Sequence, residues 1–349
     1  MAHTNAQKIF KAANAEAVLT EQPDLRKYLT GIETSFGYVL TTEKETVFYT
    51  DSRYLEAVKA ALKGSEITVK QFVGPLEIIL SGLKEVAIPL SQTYYPQYER
   101  LKKAGLEIKD SAKAFQSAMI IKQDYELEFI KQACKIADDA FTALLSRIKE
   151  GMSENDLAAE LEYLMRKNGA SGTSFSTIAA FGKNSSVPHH ETGADKLKFG
   201  DVILLDFGCK YGGYCSDCTR TFLFGDDKKH ENFKRTYKEV LAAHMLVKEK
   251  TTCGMTGAQS DAIARDYLKE CGLDKFFTHS LGHGIGINVH ELPYISPKGE
   301  DILQNGMVFS DEPGVYFVGD YGIRIEDTVA LINGKIESLT NTDKNLLIL

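Results

Sequence analysis

Asp206, Asp217, His283, Glu312 and Glu326 each stand in a local context that leaves a polar side chain little to do except hold metal. Four carboxylates and one imidazole do not suit a structural zinc site, which favours thiolates and histidines closed into a tetrahedron. They suit hard divalent cations that prefer oxygen. Charge balance points to two ions, because two divalent cations match the four ionised carboxylates and leave neutral His283 as the one nitrogen ligand. Two ions sharing a water lower its pKa towards neutrality, so this ligand set describes a hydrolytic centre.

Such groups must be placed by strands and tight turns. Asp201–Phe207 reads as a mostly buried strand and Thr219–Phe224 as its neighbour, with Tyr211, Gly212 and Gly213 as turn signals. A hairpin centred on Tyr211–Gly212 predicts Asp206 directly opposite Asp217, with Cβ atoms roughly 4.5 to 5.5 Å apart. Like charges that close call for a cation between them. Around His283, Gly282 and Gly284 let backbone approach an ion or substrate, and His279, His283 and His290 are costly to bury without partners. The same stretch lacks both the P-loop lysine and the dinucleotide glycine spacing, so it does not read as a phosphate cradle. Glu312 precedes a Pro313-Gly314 turn that ends a strand. Gly322–Val329 alternates as one strand, which puts Arg324 and Glu326 on one face, Ile323 and Ile325 on the other, and a guanidinium beside the carboxylate.

Taken in order, Pro188-His189, Leu205–Gly208, Ser216–Thr221, Gly282–Gly286, His290–Pro293, Glu312–Gly314 and Arg324–Asp327 resemble the motifs of the pita-bread (creatinase/aminopeptidase P-like) metallopeptidases. Within that family the match is to the proline-specific branch, Xaa-Pro aminopeptidase and Xaa-Pro dipeptidase (prolidase). Tyr28–Gly31 and Thr50–Tyr54 resemble the smaller N-terminal domain of the same enzymes. The resemblance implies two divalent ions, with manganese expected and cobalt or zinc as alternatives. Asp206 and Glu326 would bridge them, Asp217 would chelate one, and His283 with Glu312 would complete the other. It implies that His189, His279 and His290 line the substrate site and that Arg324 lies close to the metals. The substrates would be peptides with proline at the second position, attacked by a metal-bridging hydroxide. His189 or His290 would then stabilise the oxyanion, and Glu312 would shuttle a proton to the leaving nitrogen. The sequence departs from the family pattern at Asp311, where an apolar residue is usual, and in having no tryptophan.

Tyr294 occupies a place where some dipeptidases carry an arginine for the substrate carboxylate, which favours the aminopeptidase. Methionine aminopeptidase shares the metal set but typically lacks such an N-terminal domain. Creatine-hydrolysing relatives lack the metals, and catalytically silent peptide-binding relatives usually lose ligands that are all present here.

A net charge of −7 over 349 residues lacks the basic footprint of a nucleic-acid binder. No apolar run approaches membrane-spanning length and residues 1–30 carry no signal-like stretch, so the expected compartment is the cytoplasm. The expected assembly is a homodimer. Six cysteines in so long a chain do not form a disulfide scaffold. Cys215 and Cys218 form a C-x-x-C near Cys209, but no second pair exists to complete a zinc ribbon, and they read as packing residues rather than a redox pair.

Short strand-like runs at 38–42, 46–50, 67–72 and 86–88, interleaved with helical stretches such as 54–63, predict a small creatinase-like α/β domain over residues 1–118. From 119 to 349 the pattern predicts an α+β pita-bread catalytic domain opened by a long amphipathic helix over 124–149, with Leu127, Ile130, Phe141 and Leu144 at helical spacing. An internal echo supports a duplicated, pseudo-twofold architecture: Gly151-Met152-Ser153 and Gly254-Met255-Thr256 each open a helical stretch that ends at a glycine 18 residues after the first. Two of the five ligands fall in the first half and three in the second, which puts the site where the halves meet.

Overall fold

The computed structural model describes residues 3–227 and 230–349. The chain divides into two compact units, Met1–Met119 and Ile120–Leu349. The first is built on a mixed six-stranded sheet in the order Ile67–Gln71, Thr46–Thr50, Tyr38–Thr42, Ala17–Thr20, Glu85–Ile88, Glu107–Asp110. Its central strands are runs of β-branched and aromatic residues such as Thr46-Val47-Phe48-Tyr49-Thr50, which suit a pleated surface. Leu19, Tyr38, Leu40, Val86 and Ile88 form its core with Leu76, Leu80 and Leu101 from the covering segments. The helix Pro23–Thr30 has its proline in the first turn, where no backbone donor is lost, and stops at Gly31 with φ 74°.

The second unit repeats one αβ plan. In the first half the helices Asp124–Leu145 and Glu154–Lys167 pack on the sheet Cys218–Phe224, Asp201–Phe207, Ile178–Phe181. In the second half, Glu231–Lys250 and Gly257–Glu270 pack on the sheet Glu291–Ile295, Gly282–Gly284, Val308–Asp311, Asp327–Ile332, Lys335–Ser338. The echoed motifs do equivalent work. Ser153 caps its helix through Asp156 N–H and Thr256 caps its own through Gln259 N–H, each satisfying a donor the first turn leaves free. Gly151 and Gly254, at φ 84° and 92°, make the left-handed turns before them.

The alternation of Asp201–Phe207 decides where the site lies. Ile203, Leu205 and Phe207 enter the first-half core, where Phe207 stacks on Phe141 at 5.6 Å. Asp206 therefore faces the other way, on the side where Leu204 meets Tyr316 of the second half. Two expectations need correction here. Tyr211 pairs with Tyr214, so the hairpin closes on Gly212-Gly213, both at positive φ (58° and 86°), rather than on Tyr211-Gly212. A two-residue turn of that kind matches the twist of its strands. The shift moves the register by two residues, and Asp206 opposes Thr219 instead of Asp217. Nor is Gly322–Val329 one strand: Tyr321–Arg324 pairs with Gly314–Phe317, whereas Asp327–Ile332 joins the five-stranded sheet, and Ile325-Glu326 is the step between them.

Candidate metal centre

Asp206, Asp217, His283, Glu312 and Glu326 all line one cavity of about 470 Å³, together with His189, His279, His290, Tyr294 and Arg324. Ligating atoms of Asp217, His283 and Glu326 lie within 4.8 Å of one another. His283 Nε2 is 3.7 Å from Asp217 Oδ2 and 3.3 Å from Glu312 Oε1. The two halves are stitched together at this point: Glu326 N–H donates to Thr219 O at 3.1 Å, and Asp217 N–H donates to Thr328 Oγ1 at 3.0 Å.

Each carboxylate is held by a different device. Asp206 Oδ2 accepts from the Arg324 guanidinium at 2.6 Å, while its buried Oδ1 has no hydrogen-bond partner. Arg324 therefore pairs with Asp206, not with Glu326 as strand alternation predicted; the break at Ile325 turns it aside. Thr219 Oγ1 links the two, accepting from Arg324 Nε at 3.0 Å and donating to Glu326 Oε2 at 2.6 Å. Ser310 Oγ donates to Glu312 Oε1 and accepts from His283 N–H, both at 3.0 Å. His283 Nδ1 lies 3.2 Å from Gly284 O, so it carries a proton, and Nε2 faces the carboxylates; against burial, Glu312 beside it favours the protonated ring in the metal-free protein, and on losing the Nε2 proton it presents the lone pair a metal requires.

The protein groups alone leave this cluster electrostatically unbalanced. Burial and then the charge of Glu326 push Asp217 well above the ordinary carboxylate range, and burial with Glu312 and Asp206 does the same to Glu326. Burial also raises Asp206, against Arg324. Glu312 goes the other way, to about 2: burial opposes ionisation, but the hydrogen bond and charge of His283 outweigh it. Buried carboxylates this close stay ionised together only with cations among them. An oxygen-rich donor set with one correctly presented nitrogen and an orphaned buried carboxylate oxygen fits hard divalent ions.

The surrounding groups are positioned just as definitely. His279 Nδ1 lies 2.8 Å from Ser280 O and its Nε2 3.0 Å from Tyr316 Oη, which also accepts from Arg324 at 2.7 Å. Burial lowers the His279 pKa and so favours the neutral ring that this chain of bonds needs. His290 is exposed at the cavity and packs edge-on against His283, with ring centroids 4.3 Å apart. His189 is carried by a loop tied to the buried Glu154. That carboxylate accepts from Phe181 N–H, Asn184 Nδ2 and Gly193 N–H at 2.9 to 3.0 Å and pairs with His190 Nε2 at 2.8 Å. Thr219, Ser310, Tyr316 and Glu154 were not legible as site residues. Only Ser310, two positions from Glu312 and so on its face, carried a readable signal.

Cys215 and Cys218 are buried and separate in purpose: one thiol donates to Ile287 O at 3.3 Å and the other to Glu326 O at 3.6 Å. A serine hydroxyl keeps a donor at each place. The Cys215→Ser, Cys218→Ser double variant is expected to retain metal content and turnover close to those of the parent protein. Metal analysis and a rate assay check this, and collapse with loss of zinc would mark the pair as a zinc site.

Comparison with known proteins gives a consistent context. Residues 128–333 match the model of metallopeptidase family M24, and residues 3–120 match the creatinase/prolidase N-terminal domain. The chain is 37% identical over 314 residues to an Xaa-Pro dipeptidase of Pyrococcus horikoshii, covering 89% of this chain and 88% of that one. Among solved structures, an Xaa-Pro dipeptidase from Bacillus anthracis superposes with a TM-score of 0.94 at 34% identity over 100% of both chains. An X-Pro aminopeptidase from Thermotoga maritima superposes with a TM-score of 0.91 at 32% identity, covering 98% of this chain and 99% of that one. Among the described residues no helix is long and apolar enough to cross a membrane.

Proposed function

The chain belongs to metallopeptidase family M24 and carries a creatinase/prolidase N-terminal domain, and from that premise we propose that it hydrolyses the Xaa-Pro bond at the N-terminus of peptides, as an Xaa-Pro aminopeptidase using two divalent ions. The observation that carries this is the convergence of Asp206, Asp217, His283, Glu312 and Glu326 on one cavity with an unbalanced buried charge. Asp206 and Glu326 would be shared between the ions, Asp217 would hold one, and His283 with Glu312 the other; manganese is the expected metal. When bound, the ions supply the positive charge that acidifies water and polarises a scissile carbonyl.

The side chains of this protein do the rest. His189 and His290, at the cavity and outside the ligand cluster, donate to the oxygen on which charge develops. Glu312, ionised and close to Ser310 and His283, takes a proton from the attacking water and passes it to the leaving nitrogen of proline, which has no N–H and must gain a proton as it pyramidalises. Arg324 holds Asp206 in place, and His279 acts on Arg324 through Tyr316.

Peptide length divides two readings. Among the described residues lining the cavity, Arg324 is the one arginine or lysine, and it is committed to Asp206, Tyr316 and Thr219. A dipeptide carboxylate thus finds no unengaged guanidinium or ammonium, which supports the aminopeptidase. The names of the Pyrococcus and Bacillus relatives support an Xaa-Pro dipeptidase instead. Protein reconstituted with manganese, cobalt or zinc and given an Xaa-Pro dipeptide, an Xaa-Pro-Xaa tripeptide and a Met-Ala-Xaa peptide separates them. The expected result is release of the first residue from the tripeptide and an intact Met-Ala-Xaa peptide. Cleavage confined to the dipeptide selects the second reading, and binding of metal without hydrolysis of any peptide overturns both.

A further inference from the structure

Asp311, the residue that departs from the family pattern, does not line the cavity. Side chains alternate along a strand, so while Glu312 lines the cavity and Ser310 bonds to it and to His283 on the same side, Asp311 points behind them, where it is fully buried. Its partner across the sheet is Asp327, also fully buried and adjacent to Glu326. Two carboxylates directly opposite on neighbouring strands repel. Between them lies His244 of the helix Glu231–Lys250, itself 0% exposed, with Nδ1 3.0 Å from Asp311 Oδ2 and Nε2 3.4 Å from Asp327 Oδ2. Asp327 has further cations, Arg220 and Lys344, each at 2.9 Å. Among the described residues, Asp311 has His244 alone.

We infer that His244 is a positioning residue for the metal centre: seated between Asp311 and Asp327, it fixes the spacing of the two strand ends from which Glu312 and Glu326 enter the cavity. The inference rests on the reading that those glutamates hold metal. Two observations agree with it. Each imidazole nitrogen lies within ion-pair distance of one carboxylate, although neither makes a directed hydrogen bond, so the ring acts by its charge and its position between them. Burial disfavours the charged ring, but the two aspartates, Asp311 foremost, bring its pKa up to about 9. Among the described residues, His244 is thus the group whose loss leaves buried Asp311 without an ionic partner beside Glu312.

The full-length His244→Gln variant, titrated with Mn²⁺ alone, is expected to bind it about 10- to 100-fold more weakly, the range seen when groups that orient metal ligands are removed. At limiting metal kcat falls in proportion, while KM for the peptide stays within about twofold. Adding Asp311→Asn to His244→Gln removes the unpaired charge and should restore most of the affinity; a purely structural brace would instead be weakened further by the second change. If His244→Gln does not accumulate as folded protein, Asp311→Asn alone is expected to show a smaller loss of affinity in the same direction. Wild-type Mn²⁺ affinity in whichever of these variants folds, or no recovery in the double variant, overturns the inference. Glu326→Ala is titrated alongside. If it too binds like wild type, the ligand reading falls and takes the inference with it; if only His244→Gln does, the inference alone falls.

Discussion

Glu326→Ala and Asp206→Ala are expected to abolish peptide hydrolysis and to leave the purified protein short of two divalent ions. Both carboxylates enter the cavity from opposite halves of the catalytic unit, Asp206 on the face of Asp201–Phe207 turned from the core and Glu326 at the step before Asp327–Ile332. Removing either takes one negative charge from a set of four that would balance two cations. Of the two, Glu326→Ala is the cleaner test. Glu326 is raised by burial and by Glu312 and Asp206, and its charge in turn raises Asp217, so its loss relieves repulsion in the metal-free protein. The metal-free variant should melt close to the metal-free parent, because the relieved repulsion offsets the lost hydrogen bond from Thr219 Oγ1. The parent should gain thermal stability on adding Mn²⁺, as any ligand of the native state confers, and the variant should lose most of that gain. Asp206→Ala also strips Arg324 of its carboxylate, so some of its effect is the cost of an unpaired buried cation. Metal analysis, turnover and melting with and without Mn²⁺ decide the matter. Two ions per chain with near-normal turnover would remove Asp206 and Glu326 from the ligand set.

What the sequence disclosed about this site, and what it hid, follows from range. The helix starts at Ser153 and Thr256 were legible because capping is a contact over three residues. The strand Asp201–Phe207 was legible because its apolar run is local and bounded by turn residues. The partner of Asp206 was not, since it hung on which two of Tyr211, Gly212 and Gly213 form the turn, and one position there moves the register by two. Arg324 belongs beside Glu326 only in a continuous strand, and the chain instead changes sheets at Ile325-Glu326. His244 lies 67 residues before Asp311 on a helix whose pattern gives no reason to single out one buried polar position. Buried polar pairs joined across such distances are specified by packing of whole elements, which local periodicity does not contain.

His283→Ala is expected to lose an ion, whereas His290→Ala and His189→Ala are expected to keep both and turn over far more slowly. The distinction is one of position. The Nε2 of His283 faces Asp217 and Glu312 at 3.7 and 3.3 Å, its Nδ1 is occupied by Gly284 O, and its backbone N–H is fixed by Ser310. Nothing else in the cluster offers nitrogen, so an alanine leaves a coordination position that no neighbouring side chain fills. His290 packs against the edge of that ring, and both it and His189 are exposed at the cavity. From there they reach a bound peptide without entering the carboxylate cluster. Loss of one preorganised donor in such a site costs on the order of 10² to 10³ in turnover, roughly 3 to 4 kcal/mol, while binding of substrate in its ground state changes little. His189 has an added safeguard in the loop held by Glu154, so His189→Ala removes the imidazole without releasing the loop. Measuring metal stoichiometry together with kcat and KM for the three variants separates the roles: a ligand fails in stoichiometry first, a donor in kcat alone. An ion lost from His290→Ala while His283→Ala kept both would reverse the two assignments within the segment from His279 to His290.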